Sequence, residues 1–273
     1  MAVSGRWQLH PLHLYFVHGY LGLDDLALPL EAPPYGHTRQ QYGEVGKREY
    51  GTMRAQGLIV DDEVEPGLAR ALTVLCKPYL WVDSLWFPEA GQEPMWRAVA
   101  AVTEGNRIVL GVQPPGETDR YGGALTIELH ERATLSQVLL PTLPPAPPGS
   151  KGPVKVPAGS FPREESEEDT SPQSVLQPAT ARRGSSGDRQ LATYQAIGAA
   201  EHVRAGQLAA NMRDRTGRVN RSQVVRWFDN AEPDGRYLDH NERGDTGERM
   251  YGLTPADAHV LGTKIEELVT TVR

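Results

Sequence analysis

The chain has 273 residues, with 28 lysines and arginines against 35 aspartates and glutamates, and a formal net charge of −7. This length is sufficient for one large domain or two small ones with a sizeable core. The acidic balance argues against a general nucleic-acid binder, which must neutralise phosphates over a broad surface, but it leaves room for a local basic patch.

Cysteine content and hydropathy predict the compartment. Cys76 is the single cysteine, so no intramolecular disulfide can form and a reducing compartment is favoured. The N-terminus lacks a charged region followed by an apolar core and a small-residue cleavage site, and no run approaches about 18 apolar residues. We therefore predict a cytoplasmic protein without a membrane span.

The N-terminal segment predicts a strand followed by a helix. Residues 6–9 have the pattern of a short strand. Pro11 fits the first turn of a helix whose apolar residues share one face, and Gly22 fits its end. Residues 33–57 are polar and rich in tyrosine and glycine, and no regular element is predicted there.

A helix and four strands are predicted next. Residues 61–77 carry apolar residues at helical spacing, with Pro66 near the start and Pro78 at the end. Gly105 and Asn106 fit a tight hairpin turn between two of the strand candidates. The strand candidates are residues 79–87, 95–103, 107–113 and 123–131. A further helix is predicted over residues 134–140.

Residues 141–178 differ in composition from the rest of the chain. They hold ten of the 22 prolines and the acidic run Glu164, Glu165, Glu167, Glu168 and Asp169. Such a composition cannot bury enough apolar surface to offset its ordering entropy, so we predict a mobile loop after Pro157. A helix is predicted again over residues 189–203.

Deletion of residues 164–170 is expected to leave the midpoint of thermal unfolding nearly unchanged, because a loop without buried side chains contributes little to folding. Circular dichroism during heating measures this midpoint. A large drop would mean that the acidic run is docked on the folded domain.

Residues 205–238 read as three antiparallel strands in succession. Apolar residues alternate with small or polar ones, and turn residues at 216–217 and 234–235 divide the stretch. A hairpin turn is predicted at residues 244–247 and a last strand over residues 248–253. A β-meander is therefore expected in the C-terminal part of the chain.

The order of elements indicates two similar halves. The final helix is predicted with Thr254 at its N-cap and Pro255 in its first turn. Both halves then contain a helix, about four antiparallel strands and a closing helix, which indicates a duplicated unit. We predict a single domain over residues 1–273, with an N-terminal half (about 1–145), a Pro-rich and acidic mobile loop (about 146–188) and a C-terminal half (about 189–273).

No motif in the chain indicates an enzyme, a cofactor or a metal. There is no Gly-rich nucleotide loop after a strand, no nucleophile elbow, no cysteine pair and no zinc helix. His10, His13 and His18 lack a fourth ligand of matching geometry, so packed or solvated histidines are favoured over zinc. The acidic pairs at 24–25 and 61–62 are interpreted as helix caps.

A basic group in the predicted meander leaves three interpretations open. Its members are Arg213, Arg215, Arg218, Arg221 and Arg226. In the first interpretation the arginines are a solvated rim. In the second they contact an acidic protein partner or the chain's own acidic run. In the third they bind nucleic-acid phosphates.

A series of short motifs runs in order through residues 71–268. They are ALTVLCKP (71–78), LLP (139–141), VKVP (154–157), GQL (206–208), RDRTGR (213–218), FD (228–229), GRYL (235–238) and PAD (255–257). In their order and spacing the chain resembles the EspG family of ESX, or type VII, secretion-associated proteins of actinobacteria. Residues 31–57 and the acidic run depart from the family's pattern.

The resemblance implies both a fold and a function. The fold is α+β, with a central, mostly antiparallel β-sheet, flanking helices and two pseudo-two-fold related halves. The implied function is that of a non-catalytic cytosolic chaperone, a monomer or weak homodimer, without a cofactor. Its expected partner is a PE–PPE-like helical heterodimer, whose exposed apolar tip it binds and keeps soluble for one secretion system. Neither nucleic acid nor a membrane is expected as a partner.

The connection at residues 88–94 is the predicted binding region. It is too long for a tight turn and too polar to be buried. The resemblance implies that this connection, the adjoining aromatic side chains and the outer face of the final helices hold the substrate. The candidate residues are Phe87, Pro88, Glu89, Gln92, Pro94 and Trp96. Arg215 and Arg218 represent the alternative, a nucleic-acid-binding or regulatory module on the basic hairpin.

Aromatic residues on the predicted strands have two interpretations. Trp81, Trp86, Trp96 and Trp227 are candidate anchors for an apolar partner. Large aromatic side chains on strands are more often part of a core, and this is the favoured interpretation for any one of them.

Overall fold

The computed structural model describes residues 2–32, 34, 38–90, 94–117, 121–161 and 186–273. The predicted acidic run lies outside these residues. The helices are α1 (Pro11–Leu21), α2 (Arg39–Ala55), α3 (Pro66–Cys76), α4 (Leu135–Leu139), α5 (Ser186–Gly198) and α6 (Ala258–Val272). The strands are β1 (Ala2–Leu9), β2 (Ile59–Val60), β3 (Glu63–Val64), β4 (Leu80–Phe87), β5 (Trp96–Thr103), β6 (Arg107–Gln113), β7 (Leu125–Glu131), β8 (Val154–Pro157), β9 (His202–Arg213), β10 (Val219–Arg221), β11 (Val225–Asn230), β12 (Arg236–Arg243) and β13 (Arg249–Pro255).

One eleven-stranded sheet organises the molecule. Its order is β1-β7-β6-β5-β4-β9-β11-β12-β13-β8, with β10 paired to β9. Adjacent strands are antiparallel, and the central pair, β4 and β9, runs from Leu80 opposite Met212 to Phe87 opposite Ala205. The predicted meander is confirmed, because β11 pairs with both β9 and β12. The predicted α+β class with an antiparallel sheet is confirmed as well.

Helices α4 and α6 cover one face of the sheet, which we call the first face. The apolar side of α6, with Leu261 and Ile265, packs with Val138 of α4 against strand residues such as Val82 and Trp227. Val82 belongs to the N-terminal half and Trp227 to the C-terminal half. This core therefore joins the two halves through one continuous layer of buried side chains.

The opposite, second face is covered by two separate groups of helices. In the N-terminal half, α1 and α3 bury side chains such as Leu14 and Leu72 on this face, and Met53 of α2 joins the same cluster through packing on α1 and β2. In the C-terminal half, Ile197 of α5 packs in a smaller cluster with Tyr237. The middle of the second face, on β4 and β9, lies between these two clusters.

The two halves share an order and pairing of elements. Each has an edge strand (β1, β8), a helix on the second face (α3, α5), four successive strands of the sheet and a helix on the first face (α4, α6), and the C-terminal half adds the short β10 beside β9. The edge strands pair with the last of these four, β1 with β7 and β8 with β13. The predicted domain boundaries and two-fold relation stay predictions. Strand β8 was not expected, because its four residues lie within a Pro-rich segment.

Acidic residues around α3 do not have the expected role. Asp61 and Asp62 form the turn between β2 and β3 with φ values of 51° and 63°. Helix α3 begins only at Pro66, and Glu65 caps it by accepting from the N–H groups of Gly67 (2.9 Å) and Leu68 (2.7 Å). The capping interpretation of residues 61–62 is therefore wrong. It is also wrong for residues 24–25, which follow α1 instead of preceding a helix.

Helix α2 lies in a segment where no element was predicted. Its glycines at 43, 46 and 51 have low helix propensity, and its apolar residues are few. Packing on α1 stabilises it, with the rings of Tyr42 and Phe16 at 4.7 Å. Tertiary contact thus outweighs the local sequence preference here.

Two other helix boundaries also differ from the prediction. Pro255 is the last residue of β13, opposite Tyr237, and Asp257 caps α6 by accepting from the Val260 N–H (2.8 Å). Thr254 is therefore not the N-cap. Helix α5 ends at Gly198, and β9 already begins at His202, where a helix was predicted.

Candidate partner-binding surface

The β4–β5 loop projects from one end of the central strand pair. The structure describes its residues 88–90 and 94, and Gln92 lies outside them. Pro88 and Pro94 are half-buried, whereas Glu89 is exposed. The Ala90 N–H donates to the carbonyl oxygen of Val203 (3.1 Å), which ties the loop to the start of β9.

Phe87 and Trp96 lie on opposite faces of the sheet. Trp96 is paired with Trp86, and the two rings stack with their centroids 5.6 Å apart at an angle of 4°. Trp86 is buried in the core of the first face. Because side chains alternate along a strand, Phe87 faces the other way. The two aromatic candidates therefore flank the loop without forming one continuous patch.

An open apolar strip occupies the middle of the second face, beside the loop. We call Leu85, Phe87 and Ala205 the second-face strip, since Phe87 lies opposite Ala205 and all three are only half-buried. None of them belongs to the three buried clusters. Val203, 37% exposed, adjoins the strip at the start of β9. Neighbouring, partly exposed apolar side chains that no helix covers are a candidate interaction surface.

Polar groups border the second-face strip. Arg97, opposite Leu85, is buried, with its guanidinium 3.4 Å from the Glu31 carboxylate. Farther along β4, the buried Asp83 carboxylate accepts hydrogen bonds from Asn211 (2.7 Å) and Arg221 (2.6 Å). Arg221 of the basic group thus has an acidic partner within the chain. An apolar centre with a polar rim is typical of protein interfaces.

Helix α6 presents a polar surface to solvent. Its exposed residues are Ala258, His259, Thr263, Glu266, Glu267, Thr270 and Thr271, all polar except Ala258. Its apolar residues are used in the first-face core. Any contribution of the final helix to a partner site would therefore be polar and not apolar.

Three of the four candidate tryptophan anchors are core residues. Trp81, Trp86 and Trp227 are buried, and Trp227 is 1% exposed. The Arg236 guanidinium lies 4.3 Å from the centre of a Trp227 ring and completes its enclosure. Among these tryptophans only Trp96 is partly exposed, so the others have no surface to offer a partner.

Arg215 and Arg218 lie at the other end of the sheet. They are exposed in the turn between β9 and β10, beyond the Leu80 end of β4. The length of β4 separates them from the β4–β5 loop by about 25 Å. Asp214 shapes this turn by accepting from Thr216 and from the Arg218 N–H (2.9 Å), and the Thr216 hydroxyl lowers the pKa of its carboxyl. The two sets of candidate residues therefore form two separate surfaces.

The histidines of the N-terminal segment have partners of their own. His13 is buried with its Nε2 3.2 Å from Glu49, and His18 Nε2 is 2.7 Å from the Asp24 carbonyl oxygen. Within the described ranges, no group of three or more histidine, cysteine, aspartate or glutamate side chains is placed to hold a metal ion. No helix in that part of the chain is long and apolar enough to cross a membrane.

The fold and the strip define an α+β protein built on one broad antiparallel sheet with an open apolar surface at its centre. The chain belongs to the EspG family, whose model matches residues 10–267. Its structure is similar to that of the Mycobacterium tuberculosis type VII secretion system chaperone EspG5, solved in complex with a PE25–PPE41 dimer. The TM-score is 0.67 over 98% of this chain and 97% of that chain, at 16% identity. No curated protein matches the chain.

The residues of the second-face strip were not singled out in the sequence, apart from Phe87. The segment LWVDSLWF of β4 is apolar at both alternating sets of positions, which is typical of a strand buried on both faces. Only the spacing of α1–α3 and α5 over the sheet leaves Leu85 and Ala205 partly open. No pattern in the sequence indicates that these helices leave this part of the sheet uncovered.

Proposed function

We propose that this chain is a non-catalytic, cytoplasmic type VII secretion chaperone, which binds a PE–PPE-like helical heterodimer and keeps it soluble for its secretion system. The family match over residues 10–267 carries the proposal. The likeness to EspG5, which was solved with a PE25–PPE41 dimer, supports it at the level of the fold.

The proposed substrate site combines the second-face strip with the β4–β5 loop. Burial of apolar surface contributes about 25 cal/mol per Å², so an apolar helical tip seated on Leu85, Phe87 and Ala205 gains most of its affinity there. Pro88 and Pro94 restrict the loop beside it and reduce the entropy lost on binding. The polar pairs around the strip would form the rim.

Replacing residues 88–94 by a Gly-Ser linker of equal length is expected to weaken capture of a PE–PPE heterodimer by about 1 kcal/mol or more. The linker removes the two prolines and the loop side chains that adjoin the strip. The circular dichroism spectrum and the melting curve should not change, because the strands on either side stay paired. Calorimetric titration with the heterodimer encoded in the same genome gives the affinity.

Charge reversal at Arg215 and Arg218 is the matched control, because these exposed residues lie at the opposite end of the sheet. It should leave capture at the wild-type level, and added salt should weaken capture little, since an apolar interface is insensitive to screening. If the linker variant captures normally and charge reversal abolishes capture, the recognition site is the basic hairpin instead.

A further inference from the structure

A groove of about 760 Å³ lies at the end of the sheet opposite the β4–β5 loop. One wall is α3 and the other is formed by the turn between β5 and β6. Val74 and Leu129 are half-buried along its floor, and Val109 is buried beneath them. This apolar floor is continuous with the N-terminal core. We call this feature the basic groove, for the charges described next.

Cationic side chains line both walls of the basic groove. Arg70 is exposed on α3 and Lys77 directly after its last residue, and Arg107 lies on the opposite wall. Glu104 is the one carboxylate among the described residues that line the groove. The side chains of Arg70 and Lys77 have no hydrogen bond or ion pair with other described residues. Tyr79, 53% exposed, also lines the groove.

The positive surface continues from the basic groove to the β9–β10 turn. The Arg213 N–H donates to the Tyr79 carbonyl oxygen (2.7 Å), and its guanidinium donates to that of Pro78 (3.3 Å). Arg215 and Arg218 follow in the exposed turn. Asp214 in that turn accepts hydrogen bonds from Thr216 and from the Arg218 N–H, and its carboxylate keeps its negative charge. The described cations at this end of the sheet still outnumber the carboxylates, with Arg70, Lys77, Arg107, Arg213, Arg215 and Arg218 against Glu104 and Asp214.

We propose that the basic groove docks an acidic amphipathic helix of a partner protein. Its apolar floor accepts the apolar side of such a helix, and the cations on both walls complement acidic residues along its borders. A nucleic-acid backbone would leave the apolar floor without a function, because its phosphates and sugars offer no apolar side to bury there. Arg215 and Arg218 in the β9–β10 turn then extend the surface that contacts the acidic partner.

The dimensions of the basic groove suit a short helical segment. Helix α3 has 11 residues, so its wall is about 16 Å long, which matches roughly three turns of a partner helix. Packed helices lie about 8–10 Å apart, a distance at which the Arg70 and Lys77 side chains reach the acidic border of the partner. The groove lies at the end of the sheet remote from the second-face strip, so both surfaces can be occupied together.

Fluorescence anisotropy with designed peptides tests this proposal on the full chain. The probe is a labelled helical peptide with leucine on one side and glutamate along its borders. We expect it to bind, and we expect Arg70→Glu to weaken binding about tenfold, because an attractive charge becomes repulsive. Arg70→Lys should retain binding. Arg189→Glu on α5 is the matched control, since it reverses an exposed helix arginine elsewhere and should have no effect.

Two further peptides separate the contributions of charge and apolar contact. A peptide with lysine in place of glutamate, and one with serine in place of leucine, should both bind at least about tenfold more weakly. PE–PPE capture by the Arg70→Glu variant should equal that of the wild type. The proposal about the basic groove therefore stands or falls separately from the proposed chaperone function.

Several results would overturn the proposal. One is the absence of binding by the glutamate-leucine peptide, and another is equal loss in the Arg70→Glu and Arg189→Glu variants. If a DNA duplex bound more tightly than the peptide and required Arg70, the groove would be a nucleic-acid site. If deletion of residues 164–169 strengthened peptide binding, the chain's own acidic run would be the occupant in place of a partner.

Discussion

Replacing Tyr237 by alanine is expected to lower the free energy of unfolding by about 3–5 kcal/mol. The ring is 0% exposed and packs with Val154, Ile197 and Leu253 in the C-terminal core. Gly149 lies so close above it that a Cβ atom there would meet the ring at 2.1 Å. The cavity left by alanine would therefore be enclosed on all sides, and urea denaturation followed by circular dichroism measures the loss.

The hydroxyl of Tyr237 contributes a separate, smaller amount. It donates to Asp234 Oδ1 (2.9 Å) and accepts from the Lys151 N–H (3.0 Å). Burial opposes ionisation of Asp234, but hydrogen bonds from Ser150, Asn230 and Tyr237 outweigh it and lower the pKa of this carboxyl to about 2. Tyr237→Phe should therefore cost about 1–3 kcal/mol, less than the alanine variant. Unchanged stability with lost partner capture in the alanine variant would instead assign Tyr237 to an interface.

Replacing Arg236 by alanine is expected to lower the free energy of unfolding by about 3–5 kcal/mol. Its guanidinium binds the Asp229 carboxylate through two hydrogen bonds of 2.6 and 2.8 Å, and both side chains are buried. It also donates to the Pro144 carbonyl oxygen (2.8 Å), which fixes the Pro-rich segment over the sheet. Removal leaves a buried carboxylate whose one remaining cationic partner among the described residues is Arg204, at 3.0 Å.

A matched control isolates the effect of burial. Arg226 is an exposed arginine on β11, and Arg226→Ala should change stability by no more than about 0.5 kcal/mol. Arg236→Lys should be intermediate, because it keeps the charge but loses the paired hydrogen bonds. Equal stability of the Arg236→Ala and Arg226→Ala variants would contradict a structural role for the buried ion pair.

The two proposed surfaces lie at opposite ends of the sheet and differ in chemistry. The second-face strip lies at the end of β4 near Phe87, and the basic groove lies near Tyr79, about 25 Å away. The first surface is apolar with a polar rim, and the second is cationic with an apolar floor. Salt should therefore separate them experimentally, weakening peptide binding at the groove but not substrate capture at the strip.

Local patterns predicted most of the strands but fewer of the helix boundaries. Strand candidates 79–87, 95–103 and 107–113 match β4, β5 and β6 closely, because turn residues at Gly105 and Asn106 separate runs of strand formers. The predicted start of the last helix is wrong because two residues near it are both suitable N-caps. Thr254 is an acceptable N-cap residue, but aspartate is a better one, and the pairing of Pro255 with Tyr237 in the sheet places the helix start at Asp257.

Short elements stabilised by distant contacts were missed. Strand β8 is too short to have a clear pattern and exists because it pairs with β13, about 100 residues along the chain. Helix α2, with three glycines, depends on contact with α1. In both cases the stabilising partner is remote in sequence, so no local window contains the information.

The candidate site residues stay predictions, and the sequence could not show how they lie relative to one another. The length and polarity of residues 88–94 correctly placed a loop next to Phe87. The pattern of β4 and β5 did not show that Phe87 and Trp96 face opposite sides, because the register of the two strands decides it. Nor did it show that Arg215 and Arg218 lie at the far end of the sheet.

The amino-acid sequence by itself determined the class of fold, the family and the chemistry available to the surface. The alternation of apolar and polar residues, the turn residues and the order of motifs are properties of the sequence itself. They can be recognised without knowing which strands are neighbours in the sheet. The tertiary structure alone decided which side chains are open to a partner. Exposure of Leu85 and Ala205, and burial of Trp86 and Trp227, depend on which helices cover each face, and that covering is set by contacts between residues far apart in the chain.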